Sequence, residues 1–320
     1  MLEETQTEVN DGVFRLLAVI VLYKMKPAES VSFNTLQKAI SNLRNGQAEI
    51  KVLLYDNTPG GQTVGVLPDG VRYKANIENG GVAGAYNYAL EIAQKERFDW
   101  LLTLDQDTIL LIDFLCKLSE AARFVAPMAD IAAIAPRISD DGRAVSPFTL
   151  TRPWMLMRHF PDGFIGIPFE NVDAINSAYT IKVSALKAIG GYDPRLNLDF
   201  CDLVTGYRLH CRNLRVYIAG NIHVEHQLSV FDLMNRVDPV RYENIQRAEE
   251  AFYDEYLGRI EGMVLGVRLF YRLIYRLWRS EATLPYFIIG LRFLCRRFFY
   301  SRKHRMKSWK QAAKLQACAE

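Results

Sequence analysis

Three apolar runs in the first third of the chain constrain the fold more than any other feature. LLAVIVL at 16–22, IKVLLYD at 50–56 and WLLTLD at 100–105 are continuous rather than alternating, as strands covered on both faces tend to be. Between them the period changes: Ser30 to Leu43 reads as a helix, and so does the stretch from Val82 to Lys95. A short strand is expected at Val71 to Ala75, a helix from Ile112 to Phe124, and a further strand at 131–136, IAAIAP. The stretch from there to Glu170 reads as loops with an edge hairpin, and VDAINSAYTIKVSALKAIGGYD as a strand, a helix and a turn. Strands alternating with helices at this spacing predict an α/β fold. Its sheet is expected to be mostly parallel and Rossmann-like, with helices on both faces and ligands bound beyond the strands' carboxyl ends.

The chain has 320 residues, half of them hydrophobic, enough to bury one large core or two modest ones. Its formal charge of +3 hides an asymmetry, because residues 268–310 hold twelve Lys or Arg against one acid, Glu281. The remainder, with 27 basic and 35 acidic residues, is net acidic. Five cysteines lie scattered without a CxxC pair, which argues against a disulfide framework or a zinc site and fits a reducing cytoplasm. The opening MLEETQTEVNDG is acidic and polar where a signal peptide needs a basic start and an apolar segment, so secretion is not expected. No run of about 18 uncharged apolar residues occurs, so membrane contact is expected to be peripheral.

Acidic or amide-rich positions recur at the expected strand ends: Asp56-Asn57, Asn79-Gly80-Gly81, Asp105-Gln106-Asp107 and Asp199 to Asp202. In a doubly wound sheet these ends converge on one crevice. Each position has a plainer reading. DNTPGG is a good Asx turn, or Asp56 accepts hydrogen bonds from a nucleotide's base or ribose. NGGVAGAYN is a small-residue helix start, or the place where an anionic ligand approaches backbone N–H groups. It lacks the G-x-G-x-x-G spacing and a Walker lysine, which disfavours dinucleotide dehydrogenases and P-loop NTPases. Asp105 and Asp107 are a solvated turn, or a hard-cation site.

AVIVLYK, LLYDNTPGG, NGGVAGAYN, LTLDQDT, IGGYDPRLNLDFCDLVTGYRL and VEHQLS stand in the order seen in family 2 glycosyltransferases of the GT-A fold, which the chain resembles over residues 14–230. The likeness is greatest to the rhamnosyltransferase-like branch, where an LDQD form of the metal motif is common. The resemblance implies an inverting hexosyltransferase domain over 1–240, using Mg2+ or Mn2+ and a nucleotide-sugar donor such as dTDP-rhamnose. It implies Asp107 as the direct metal ligand and Asp105 on the ribose or the metal's water shell. Asp56 would face the base, Tyr23 would lie near it, and Asn79 and Gly80 would border the donor pocket. Asp202, six residues before Arg208, is the implied general base, with Asp199 in reserve. Many relatives carry a second acid two residues further on, where this chain has Val204. Arg208 is expected on the diphosphate or on the acidic cluster, and His226 near the metal, with His223 as a neighbouring alternative.

In the tail, residues 241–320, LGVRLFYRLIYRLWR sets Arg268, Arg272 and Arg276 four apart, with Leu269, Phe270, Leu273, Ile274 and Leu277 on other faces. It reads as a helical extension, either packed on the catalytic part with solvated arginines, lying on an anionic membrane surface, or binding nucleic acid. The resemblance favours the membrane: the expected acceptor is a growing or polyprenyl-linked glycan at the inner face, and no nucleic acid is expected. A nucleotidyltransferase, and a non-catalytic nucleotide-binding scaffold, remain rival readings at this level.

Overall fold

In a computed structural model, residues 13–43, 48–196, 198–226, 237–278 and 284–319 are described. The opening dodecapeptide, Glu281 and the Gln227–Ser229 end of VEHQLS therefore lie outside the described residues.

Strand β1 (Phe14–Leu22) shows why a continuous apolar run was needed. Leu16, Ala18, Ile20 and Leu22 enter one core cluster, while Leu17, Val19 and Val21 enter the other. Both faces are thus dry, and side-chain alternation sorts one run into two cores. Helices α1 (Val31–Ser41) and α3 (Phe114–Val125) cover the first face, and α2 (Gly81–Lys95) the second. Ser30 starts α1 by accepting the Phe33 N–H at 3.2 Å.

The other strands are β2 (Ala48–Asp56), β3 (Val71–Ala75), β4 (Trp100–Asp105), β5 (Ile109–Leu110), β6 (Ile131–Asp140), β7 (Arg143–Ser146), β8 (Phe148–Thr151), β9 (Leu156–His159), β10 (Ile165–Gly166), β11 (Tyr179–Lys182) and β12 (Arg215–Glu225). The main sheet runs β10-β12-β6-β11-β4-β1-β2-β3. Pairs β1–β2, β1–β4, β2–β3 and β6–β12 are parallel, and β11 is antiparallel to both its neighbours. The sheet is therefore mixed, with its parallel half where the apolar runs lie. In place of an edge hairpin, β8 and β9 pair as a separate two-stranded sheet, and helix α3 begins at Phe114, two residues after the predicted start, because β5 uses Ile109 and Leu110.

Gly220 marks a tight crossing: a Cβ there would stand 2.2 Å from the Phe164 carbonyl oxygen and 3.1 Å from its N. The neighbour is backbone and cannot rotate away. Gly220→Ala is expected to lower stability by about 1–3 kcal/mol, because β10 or β12 must shift to admit the methyl group. Urea unfolding with an unchanged midpoint would contradict this packing.

After α4 (Val183–Ile189) and α5 (Cys201–His210), the tail forms α6 (Pro239–Glu255), α7 (Arg259–Trp278), α8 (Leu284–Phe299) and α9 (Arg302–Ala319). Leu265, Leu269, Ile289 and Phe293 join the same core cluster as Val19 and Tyr86, so the tail packs on the α2 face of the sheet. Its arginines correct one expectation. Arg272 makes a two-pronged pair with buried Glu249 (2.6 and 3.0 Å), Arg296 meets Glu250 (2.9 Å), and both Arg297 and Arg305 reach Asp254 (2.6 and 2.7 Å). Arg268 donates to the Tyr253 hydroxyl at 2.7 Å. These cations turn toward the acidic face of α6, where burial of the carboxylates obliges a partner; Arg297 and Arg305 are buried, while Arg272 and Arg296 stay part-exposed.

Candidate active site

Parallel pairing brings two of the acidic strand ends to one rim. Leu22 stands opposite Asp56 across β1–β2, and Val21 opposite Asp105 across β1–β4, so the two aspartates flank the end of β1. β12 runs antiparallel to β5, with Glu225 against Ile109, which delivers His226 to the loop after β4.

His226 is 7% exposed, and its ring stands between the two carboxylates. Nε2 lies 3.4 Å from Asp105 Oδ2, and Nδ1 lies 3.4 Å from both Asp107 Oδ1 and Thr108 Oγ1. Asp105 Oδ2 also accepts the Ser177 hydroxyl at 2.5 Å. The loop's backbone is held from α1: Ser30 Oγ donates to the Gln106 carbonyl (2.8 Å), and Ser32 Oγ accepts the Thr108 N–H (2.7 Å). Gln106 Oε1 accepts the Tyr23 N–H at 2.8 Å, which places exposed Tyr23 on the rim of this loop. Burial raises the Asp107 carboxyl above its ordinary range; His226 opposes the rise and Asp105 adds to it.

Among the described residues no group of three or more His, Cys, Asp or Glu side chains is arranged to hold a metal ion by itself. A hard cation that bridges a diphosphate takes only one or two carboxylates from the protein and the rest of its oxygens from phosphate and water. Two half-exposed aspartates beside an imidazole are a donor set that fits Mg2+ or Mn2+ used in that way.

Asp56 is fully buried and already bonded: Oδ1 accepts the Thr58 N–H (2.9 Å), and Oδ2 accepts Gln62 Nε2 (3.0 Å) and the Tyr73 hydroxyl (2.5 Å). A base reaching it displaces one of the two side-chain donors. Asn57 Nδ2 donates to the Gly81 carbonyl at 3.0 Å, tying this turn to the start of α2. Asn79 adopts φ +52°, and a Cβ on Gly80 would stand 2.9 Å from Asn76 Nδ2, so both border a crowded turn at that helix start.

The third group lies on α5. Burial pushes the Asp202 carboxyl up to about 7, with Asp199 and Asp173 adding to the rise and the Leu203 N–H, donated to Oδ1 at 2.8 Å, opposing it. Asp202 is not the cap of this helix: Phe200 holds that position with φ +65°, leaving Asp202 in the first turn. Asp199 is also raised by burial, against the pull of Arg241 at 3.8 Å. Tyr86 of α2 is fully buried, and its hydroxyl is held well above the usual phenol range by burial first, with Asp105, Cys201, Tyr192 and Asp202 adding to the rise. Asp105 and Asp202 thus both act on the same buried phenol.

Arg208 is placed differently from expectation. Nη1 donates to the Gly191 carbonyl at 2.9 Å and Nη2 to the Ile189 carbonyl, so the guanidinium closes the carboxyl end of α4. It reaches neither the acidic cluster nor the rim. Val204 is fully buried in the core, so no carboxylate stands at that position either. Ser177 and Thr108 are further site residues: Thr108 closes the LTLDQDT run, whereas Ser177 lies in no run with chemical spacing. Strand β12, which carries His226, was likewise unread, although RVYIAGNIHVE has alternating apolar positions toward its end.

The sequence matches Glycosyl transferase family 2 over residues 28–190, just over half of the chain. The crystal structure of GalNAc-T7 with UDP, GalNAc and Mn2+ is similar at TM-score 0.51 and 16% identity, over 96% of this chain and 59% of that one. S. aureus TarS 1-349 in complex with UDP is similar at TM-score 0.53 and 13% identity, over 94% and 87%. The same protein in complex with UDP-GlcNAc gives 0.53 and 11%, over 95% and 92%. At these identities the likeness is one of fold, and the chain spans 59% of the GalNAc-T7 chain. No curated protein sequence matches.

Proposed function

Since the match spans residues 28–190, the chain belongs to glycosyl transferase family 2, and we propose that it moves a sugar from a nucleotide-sugar donor to an acceptor hydroxyl with inversion. The observation that carries this reading is the Asp105–His226–Asp107 cluster beside the Asp56 turn, with Asp202 acting on the same buried Tyr86 as Asp105. The acceptor oxygen attacks the anomeric carbon, the bond from that carbon to the diphosphate oxygen breaks, and its electron pair leaves with the diphosphate. Asp202 takes the acceptor proton; a carboxyl poised near 7 is matched to that task. Asp107 and Asp105 would hold a divalent cation, which when bound would supply charge stabilisation to the leaving diphosphate. Tyr23, Asn79 and Gly80 line the donor side, and Asp56 accepts from the base.

The donor in this reading is dTDP-rhamnose, and the acceptor a lipid-linked or growing surface glycan at the inner membrane face. Thymine and uracil present the same N3–H donor to a carboxylate, so the Asp56 turn suits a UDP-sugar equally, and UDP and UDP-GlcNAc are what the TarS complexes contain. The loop after β1, which a nucleotidyltransferase would use to cradle phosphate, instead turns through a short 3-10 segment at Pro27–Glu29. A thermal-shift panel of dTDP- and UDP-sugars, with and without Mn2+, tests the proposal: a shift that needs both donor and metal is expected. If no nucleotide sugar stabilises the protein in a metal-dependent way, the reading fails.

A further inference from the structure

Helices α7 and α8 form an antiparallel pair, with Gly262 and Gly266 beside Arg297 and Leu273 beside Gly290. Helix α6 lies under the pair, because its consecutive Glu249 and Glu250 bind Arg272 of one helix and Arg296 of the other. The polar demand of both helices is met on that inner side. On the outer side Met263, Val267, Phe270, Ile274 and Trp278 repeat every three or four residues along α7 and are all exposed, Trp278 at 78%. Ile288, Leu291 and Phe298, spaced by three and seven residues, are exposed along α8. So large an apolar face left in water marks a contact surface.

We propose that this two-helix face lies in the headgroup and acyl boundary of an anionic bilayer, inserted by its aromatic and aliphatic side chains rather than held by Arg268, Arg272, Arg296 and Arg297, which are paired within the protein. Charge favours lipid over a second copy. Exposed Arg259 and Lys303 sit at the same end of the pair, and among the described residues from 259 to 311 the only acid, Glu261, is buried. A second copy of this face offers those cations no acid, whereas an anionic headgroup layer does. Interfacial helices combine this mix of Trp, Phe and Leu with flanking Lys or Arg. Among the described residues no helix is long and apolar enough to cross a membrane.

On its inner side α7 also contacts the hairpin: Trp154, exposed at the turn between β8 and β9, has its carbonyl 3.5 Å from Arg268, and Arg152 stands 3.7 Å from Glu261 and 6.0 Å from the ring of Tyr207 on α5. The inference deepens the membrane-face part of the proposed function and rests on that reading for its purpose, while its test does not depend on turnover.

Full-length protein is sedimented with phosphatidylcholine vesicles and with vesicles containing phosphatidylglycerol. Binding to the anionic vesicles is expected, and most of it should survive about 0.5 M salt, where exposed charges are screened within a few Å. The double variant F270D/I274D should bind at least about tenfold more weakly, since two apolar side chains no longer leave water. Its donor-induced thermal shift should match the wild type, which separates this inference from the glycosyltransferase reading. Three results overturn it: wild-type protein left in the supernatant, vesicle binding unchanged by F270D/I274D, or a wild-type dimer in solution that the double variant converts to monomer.

Discussion

Asp107→Asn should lower turnover on the order of 10³-fold while leaving the fold intact, because it removes the charge that holds the cation against the leaving diphosphate. The side chain is half-exposed and its carboxylate meets His226 at 3.4 Å, so the amide can take its place at the surface of the site. Burial already disfavours the charge at this position, so neutralising it costs the apo fold nothing. Asp105 makes a less clean test, since it accepts from Ser177 and faces His226 as well. Release of nucleoside diphosphate across a Mn2+ titration is the measurement, with the unfolding midpoint as control. Wild-type turnover in the variant, or undiminished wild-type activity in the presence of a chelator, would sink the metal role.

The parts of the fold that were legible are those where burial dictates composition. β1 and β4 must be apolar on both faces, so their sequences could hardly read otherwise, and the apolar runs of β2 and β4 end on Asp56 and Asp105. β11 was legible as a strand but its direction was not, because YTIK pairs equally well either way and only the path of the chain decides. Ser177 illustrates a deeper limit: it joins the site through a single hydroxyl bond to Asp105 across 72 residues, and no local period records such a contact.

The tail and Arg208 show how a charge can be read correctly as present and wrongly as available. Helical spacing put Arg268 and Arg272 on one face, as the structure has them, but spacing cannot say whether that face meets water or a carboxylate. The answer lay in Glu249, Glu250 and Asp254 of α6, acids of a helix that the sequence reading had not placed beneath them. With the arginines turned inward, the residues left for contact are Phe270, Ile274 and Leu277, so the expected interaction changes from electrostatic to apolar. Arg208 likewise fell at the right spacing from Asp202, yet the α4 carbonyls claim its donors.

Asp202→Asn is expected to reduce sugar transfer by about 10²–10⁴-fold, the usual worth of a general base, and at the same time to raise stability at alkaline pH. The two effects have one cause. Burial lifts this carboxyl from 3.8 to about 7, so between those values the folded chain holds a proton that the unfolded chain has released. Stability therefore falls as pH rises from about 4 to about 7 and stays lower above it. The amide carries no charge to desolvate, so at pH 8 the variant should gain on the order of 1 kcal/mol after allowance for solvent at a half-buried site, about 2 °C in a chain of this size. Below about pH 4, where both states are protonated, the gain should vanish. Transfer by the wild type needs the carboxylate, so its rate should climb with pH through about 7, and the variant should lose that limb. Asp199→Asn, whose carboxyl is also raised but answers to Arg241, should keep most of the activity and shift the wild-type limb downward by removing a neighbouring negative charge. If instead Asp199→Asn abolishes transfer and Asp202→Asn does not, the base is Asp199, and the elevated carboxyl of Asp202 is only the cost of burying it at the start of α5.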